Sequence, residues 1–139
     1  MEKEFILYEQ ALALKELGFD EPCLANYFID VIGETVPHFR YNNRISEAFS
    51  IDEGVWFNHN LNKEYVWSTP LYQQAFRWFR EKYGLWQIVM QNTDKDWTYD
   101  IMTIAGMTDY KIFDVFDTYE EAELECLKKL IEIAKQEQK

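Results

Sequence analysis

Apolar residues recur every three to four positions over 3–17, where Leu7, Ala11, Leu14 and Leu17 form a stripe widened by Tyr8 and Leu12. That spacing predicts a helix. Glu9 and Glu16 fall on its other face, and Gly18 stands where a C-terminal turn needs left-handed backbone. Pro22 is placed to open a short second helix through 28. A second stripe, Leu71, Ala75, Phe76, Phe79 and Tyr83, predicts a helix over 70–83. Thr69 is its expected N-cap, Pro70 its first residue and Gly84 its stop. The last helix opens on Thr118-Tyr119-Glu120-Glu121, a capping box in which the Thr118 hydroxyl takes the Glu121 amide and the Glu121 carboxylate reaches back to the Thr118 amide. Ala122, Cys126, Leu127, Leu130 and Ile133 form its stripe, and Glu125 with Lys129 makes an i,i+4 pair.

Elsewhere the period shortens to two. Residues 85–91 and 97–104 predict a β-hairpin across 92–96. Trp86, Ile88 and Met90 share one face of its first strand; Trp97, Tyr99 and Ile101 share one face of the second, with Thr98 and Asp100 pointing away. A turn around Gly106 spans 105–109, and a third strand follows over 111–116, interrupted by Asp114. Two short aromatic strands, 55–57 and 65–67, flank the polar stretch 58–63. Gly33, Pro37, Asn42 and Asn43 punctuate 29–53, which leaves room for one strand and a long loop, a common place for function. The order implies an α+β fold: a small antiparallel β-meander packed against three main helices, a single domain over 1–139 with a loop-rich insert at 29–67.

Charge narrows the function. The chain holds 25 acids and 14 bases, a net −11. Nonspecific nucleic-acid binding requires the opposite sign, and so does attraction to anionic membranes. A basic protein partner suits the balance, as does simple solubility. Ten Phe, nine Tyr and five Trp supply core rings, with some free to serve an interface. Cys23 and Cys126 form no CxxC motif, the start of the chain is charged, and no apolar run approaches a bilayer's span. The expected location is the cytoplasm, with reduced thiols.

No catalytic signature stands out. His38 and His59 lie in no ligand motif, so no metal is expected. The surroundings of Cys23 look structural, and Cys126 sits on a helix stripe. Asp94, Asp96 and Asp100 cluster at a turn, but the glycine and terminal glutamate of an EF-hand loop are missing. No glycine-rich phosphate loop is present, and no cofactor is expected. The chain therefore reads as a non-enzyme. Arg77, Arg80 and Lys82, beside Trp78 and Tyr83, combine the cations and rings used on single-stranded RNA. The acidic total favours a structural role for them, in pairing within the protein.

Three segments together, 8–23, 74–84 and 118–123, resemble small proteins carried by bacteriophages, prophages and other mobile elements. The resemblance rests on caps, stripes and turns; it brings no activity and no site residues. It implies that the 29–67 segment, which lies outside it, carries the specific function. It also implies an anti-CRISPR-type role in a bacterial host cell: an inhibitor that binds an RNA-guided nuclease, whose guide channel is strongly basic, and interferes with guide RNA or target engagement. On that reading Asp52, Glu53, Asp94, Asp96 and Asp109 steer association, and Trp56 and Phe57 anchor the interface. An accessory or homodimeric phage protein and a carboxylate-dependent enzyme are the alternatives.

Overall fold

A computed structural model of the chain describes residues 2–29, 38–41, 58, 66–103, 109–111 and 114–138. The fold is α+β. Its contacts group into two compact units, Met1–Tyr72 and Gln73–Lys139, and each holds a three-stranded sheet. The second sheet is the expected antiparallel meander; the first is an additional antiparallel sheet.

In the first unit a short 3-10 turn, Glu2–Glu4, precedes α1, Tyr8–Glu16. This helix is shorter than its apolar period predicts. The cause is tertiary: Phe5 bridges Leu71, and the Ile6 amide donates to the Pro70 carbonyl at 3.1 Å, so the chain stays extended before Tyr8. Ala11, Leu14 and Leu17 are buried, whereas Leu7, Tyr8 and Leu12 are exposed. The end of α1 is as expected. Gly18 adopts φ 96°, its amide donates to the Lys15 carbonyl and the Phe19 amide to the Leu14 carbonyl, which closes a Schellman turn over the buried Phe19 ring.

Residues Ala25–Phe28 form a strand, β1, where a helix was expected after Pro22. It is the centre of the sheet, between β2 (His38–Tyr41) and β3 (Val66–Thr69). Ala25 faces Tyr41 on one side and Thr69 on the other. Short apolar runs buried on both faces carry no period that separates strand from helix. Within 29–53, where one strand is expected, the described residues hold β2. The aromatic stretch 65–67 contributes to β3, but its partner is β1; residues 55–57 lie outside the described residues. Rings close this unit. Tyr27 meets Phe39 at 5.5 Å, Tyr8 at 6.1 Å and Trp67 at 6.3 Å between centroids. Its hydroxyl donates to the Ile6 carbonyl, and the Trp67 indole donates to the Tyr8 carbonyl, both at 3.2 Å. These bonds give each buried ring's polar atom a partner.

The next helix, α2, spans Tyr72–Tyr83. It starts two residues later than its proline suggested. Thr69 is not its N-cap: it ends β3, fully buried. Strand pairing with Ala25 thus overrides the cap signal. Ala75, Phe76 and Phe79 are buried as expected, along with Trp78. Gly84 stops the helix at φ 65°, its amide donating to the Arg80 carbonyl at 3.1 Å.

In the second unit β4 (Leu85–Gln91) and β5 (Trp97–Thr103) form the expected hairpin. The third strand, β6, is Asp109–Lys111, earlier and shorter than 111–116. Of that stretch Phe116 makes an isolated bridge with Trp97 instead. The final helix, α3, spans Tyr119–Glu137 and packs on β4 and β5. Its predicted stripe is buried in full, with Ile131 and Ala134 added. Thr118 accepts the Glu121 amide at 3.1 Å, but the Glu121 carboxylate takes the Asp117 amide rather than that of Thr118. The salt bridges also differ from the i,i+4 expectation. They are i,i+3: Lys128 with Glu125 at 2.8 Å and Lys129 with Glu132 at 3.0 Å. Both are solvated and add only a few tenths of a kcal/mol each.

Candidate interaction surface

The hairpin register divides the apolar stripes of β4 and β5. Gln91 faces Trp97 and Val89 faces Tyr99, so Leu85, Val89, Tyr99 and Ile101 lie on one side. That side is the core: Leu85, Tyr99 and Ile101 are buried, and the Trp97 ring packs edge-on to Tyr119 of α3 at 5.3 Å. Trp86 faces Met102 and Ile88 faces Asp100 on the opposite side. There Trp86 is 48% exposed and Ile88 43%, with Met90 and Met102 half-buried beside them. Large apolar side chains grouped on one exposed sheet face are the usual mark of an interaction surface.

The basic helix meets this face. The Arg80 guanidinium stands 5.5 Å from the centre of the Trp86 ring and donates to the Gln87 side chain at 3.3 Å. Neighbouring strand residues point to opposite sides, so a group touching both lies at the margin of β4. Lys82 lies 4.9 Å from the Trp78 ring centre and 5.6 Å from that of Tyr83. Two of the three cations considered for RNA contact thus serve as cation–π partners within the protein.

Of the residues expected to bind a partner, Asp52, Glu53, Trp56 and Phe57 lie outside the described residues. Asp94 is exposed in the hairpin loop. Asp96 is half-buried there and accepts the Thr93 hydroxyl at 3.1 Å, a normal turn bond. Asp109 was placed in a turn; it opens β6, opposite Met102 in the register. The sequence reading missed Trp86 and Ile88 as surface residues. The signal is present in the sequence: alternation turns Asp100 away from Tyr99 and Ile101, and a five-residue loop pairs it with Ile88.

A second surface lies in the first unit, at the end of α1. Leu12, Lys15, Glu16, Phe19, Asp20 and Asn58 line an open groove of about 420 Å3. Asn58 is fixed there: its amide donates to the Phe19 carbonyl at 2.7 Å, and its carbonyl takes the Ser68 amide of β3 at 2.9 Å. Lys15 donates to the Val66 carbonyl at 3.0 Å.

The thiols do not suit nucleophilic chemistry. Burial pushes Cys23 up to about 12, and burial pushes Cys126 higher still. Burial also raises the Tyr99 phenol. Among the described residues no group of three or more His, Cys, Asp or Glu is placed to hold a metal ion, and no helix is long and apolar enough to cross a membrane. His38 lies in β2, and His59 is outside the described residues. No protein family, curated protein or solved structure matches the chain.

Proposed function

We propose that this chain is a non-catalytic acidic binding protein that docks onto a basic protein partner through the open face of β4 and β5. The observation that carries the reading is the exposure of Trp86 and Ile88 together on one sheet face of a chain with net charge −11. Aromatic anchors provide short-range energy, while the excess of carboxylates steers a cationic surface into place. Asp94 and Asp96, in the loop between the two strands, stand where steering charge adds to that face.

The partner class that best fits the charge and the mobile-element resemblance is an RNA-guided defence nuclease, whose guide-binding channel is basic. Binding there blocks guide RNA or target engagement without any chemistry by this chain. A cleavage assay with a panel of purified RNA-guided nucleases tests it. Inhibition at micromolar protein, relieved by Trp86→Ala, is the expected result. Full cleavage by every nuclease in the panel removes the nuclease from the proposal.

A second reading is favoured by one feature. Strand β4 lies at the edge of its sheet and carries no charged residue over Leu85–Gln91. Such an edge suits pairing with a second copy of the chain. A concentration-dependent dimer that buries the Trp86 indole, read by sedimentation and fluorescence, would favour this accessory role.

A further inference from the structure

We infer that two copies of the chain pair antiparallel along the outer edges of their β4 strands, with the two-fold axis at Ile88, which joins two three-stranded sheets into one. This deepens the self-pairing reading above and rests on the open β4 edge named there.

Strand β4 ends the order β4-β5-β6, and over Leu85–Gln91 it holds no charge, proline or glycine. Its register with β5 runs unbroken from Leu85–Thr103 to Gln91–Trp97, so no bulge bends it. Charge, proline, bulges and short length are the devices that blunt an exposed edge. The opposite edge, β6, shows two of them: it is 3 residues long and carries Asp109 and Lys111. Hydrogen bonds fix which backbone groups of β4 face outward. The Asn92 amide donates to the Asp96 carbonyl at 2.9 Å, while Trp97 turns its amide and carbonyl to Phe116, at 2.8 and 2.7 Å. Bonded and non-bonded pairs alternate along an antiparallel ladder. Asn92, Met90, Ile88 and Trp86 therefore bond inward, and Gln91, Val89, Gln87 and Leu85 turn their amides and carbonyls out. Among the described residues no backbone group pairs with these four on the outer side.

An antiparallel second copy can bond only where outward residues stand opposite one another. Centring the two-fold on Ile88 pairs Leu85 with the partner's Gln91 and Gln87 with the partner's Val89, and no other register uses all four on each strand. Each such pair exchanges two bonds, about eight in all. The residues between them fall at the close, non-bonded positions: Ile88 meets the partner's Ile88, and Trp86 meets the partner's Met90. These lie on the open face, where Trp86 and Ile88 are exposed. The register that completes the backbone thus also lays one apolar row across the seam. The strand is complementary to itself, which selects a second copy as its occupant. Arg80, held on Trp86 and the Gln87 side chain, stands across from the partner's Met90 and Val89 and not from the partner's Arg80. The net charge of −11 opposes association at long range, so added salt tightens the dimer.

The test is cross-linking of the full chain, joined to hydrogen exchange. Ile88→Cys sets two thiols at a close non-bonded pair, about 4.5 Å apart at Cα, within the span of a disulfide. Oxidised glutathione should link this variant to itself; Cys23 and Cys126 are buried and do not compete. Met90→Cys lies out of register with its own copy and should stay unlinked alone, but should link to Trp86→Cys when the two are mixed. The parent chain, raised from about 10 µM to about 1 mM, should sediment increasingly as a dimer and gain amide protection at Gln87 and Val89 but not at Ile88. Val89→Pro removes an outward amide and none that bonds to β5, so it should weaken the dimer about tenfold or more; circular dichroism verifies its fold, and the cysteine variants carry the test if it unfolds. A monomer throughout that range, Ile88→Cys linking no faster than Met90→Cys, or protection gained equally at Ile88 overturns the pairing, even where a basic partner has been captured. Linkage in this register, with no basic partner captured at low salt, overturns the docking function and leaves the pairing standing.

Discussion

Asn58 is a buried polar residue of the first unit. It makes two buried hydrogen bonds, at 2.7 and 2.9 Å, and caps an amide of β3, an edge strand of its sheet. Asn58→Leu keeps the volume and removes both bonds. It leaves the Phe19 carbonyl and the Ser68 amide without their partner, at about 1–3 kcal/mol each. The added apolar burial returns roughly 1 kcal/mol, so the net loss is about 1–5 kcal/mol. Asn58→Asp separates the two bonds. An ionised carboxylate still accepts the Ser68 amide but opposes the Phe19 carbonyl, whereas a protonated carboxyl can donate to it. The folded-state pKa of the introduced group is therefore raised above the roughly 3.9 of an unfolded chain. The variant holds its stability below that value and loses about 1.4 kcal/mol per pH unit as pH rises from it towards the folded pKa. Urea denaturation at pH 4 and pH 7, with hydrogen exchange of the Ser68 amide, reads both effects. An Asn58→Leu protein within about 0.5 kcal/mol of the parent, with the Ser68 amide equally protected, would refute the reasoning.

Three further predictions concern single features. The buried thiols ionise more readily unfolded, so Cys23 contributes stability that is complete below pH 9 and is lost as pH rises towards about 12; Cys126 acts in the same direction. Alkaline titration of the melting temperature should show that decline, with neither thiol reacting with a disulfide reagent at pH 8 until urea is added. Thr118→Ala should cost about 0.5–2 kcal/mol through loss of the α3 cap, measured by urea denaturation, and Thr118→Ser should restore most of it. Leu127→Ala, at a fully buried position of the same helix, should cost about 2–5 kcal/mol in that assay, while Ile88→Ala on the exposed face should cost far less.

Local signals were legible and long-range pairing was not. The α3 cap and stripe, the Gly18 and Gly84 stops and the hairpin over 92–96 all depend on residues close in sequence. Sheet β2-β1-β3 depends on pairing 25–28 with 38–41 and 66–69. No period reports such partners, which is why local pattern alone predicts helix over Ala25–Phe28 and a cap at Thr69. The exposed face stood between these cases. Each strand's alternation was readable alone, but only the register shows that Trp86 and Ile88 lie opposite the Tyr99 and Ile101 side. Net charge bears on the sign of the proposed partner and gives no location for it. Trp56 and Phe57 lie outside the described residues; among the described ones exposure, a property of the fold, points to Trp86.

The central claim is that this chain binds a basic protein through Trp86 and Ile88. The most direct measurement is affinity capture with the tagged chain from host lysate and from cells expressing defence nucleases, at low and high salt, with and without RNase. Parent protein is compared with the Trp86→Ala and Ile88→Lys variants, after circular dichroism shows that both fold. The account predicts one stoichiometric basic partner, weakened by salt and lost in both variants. Absence of any partner at low salt, or capture that both variants leave intact, would contradict it.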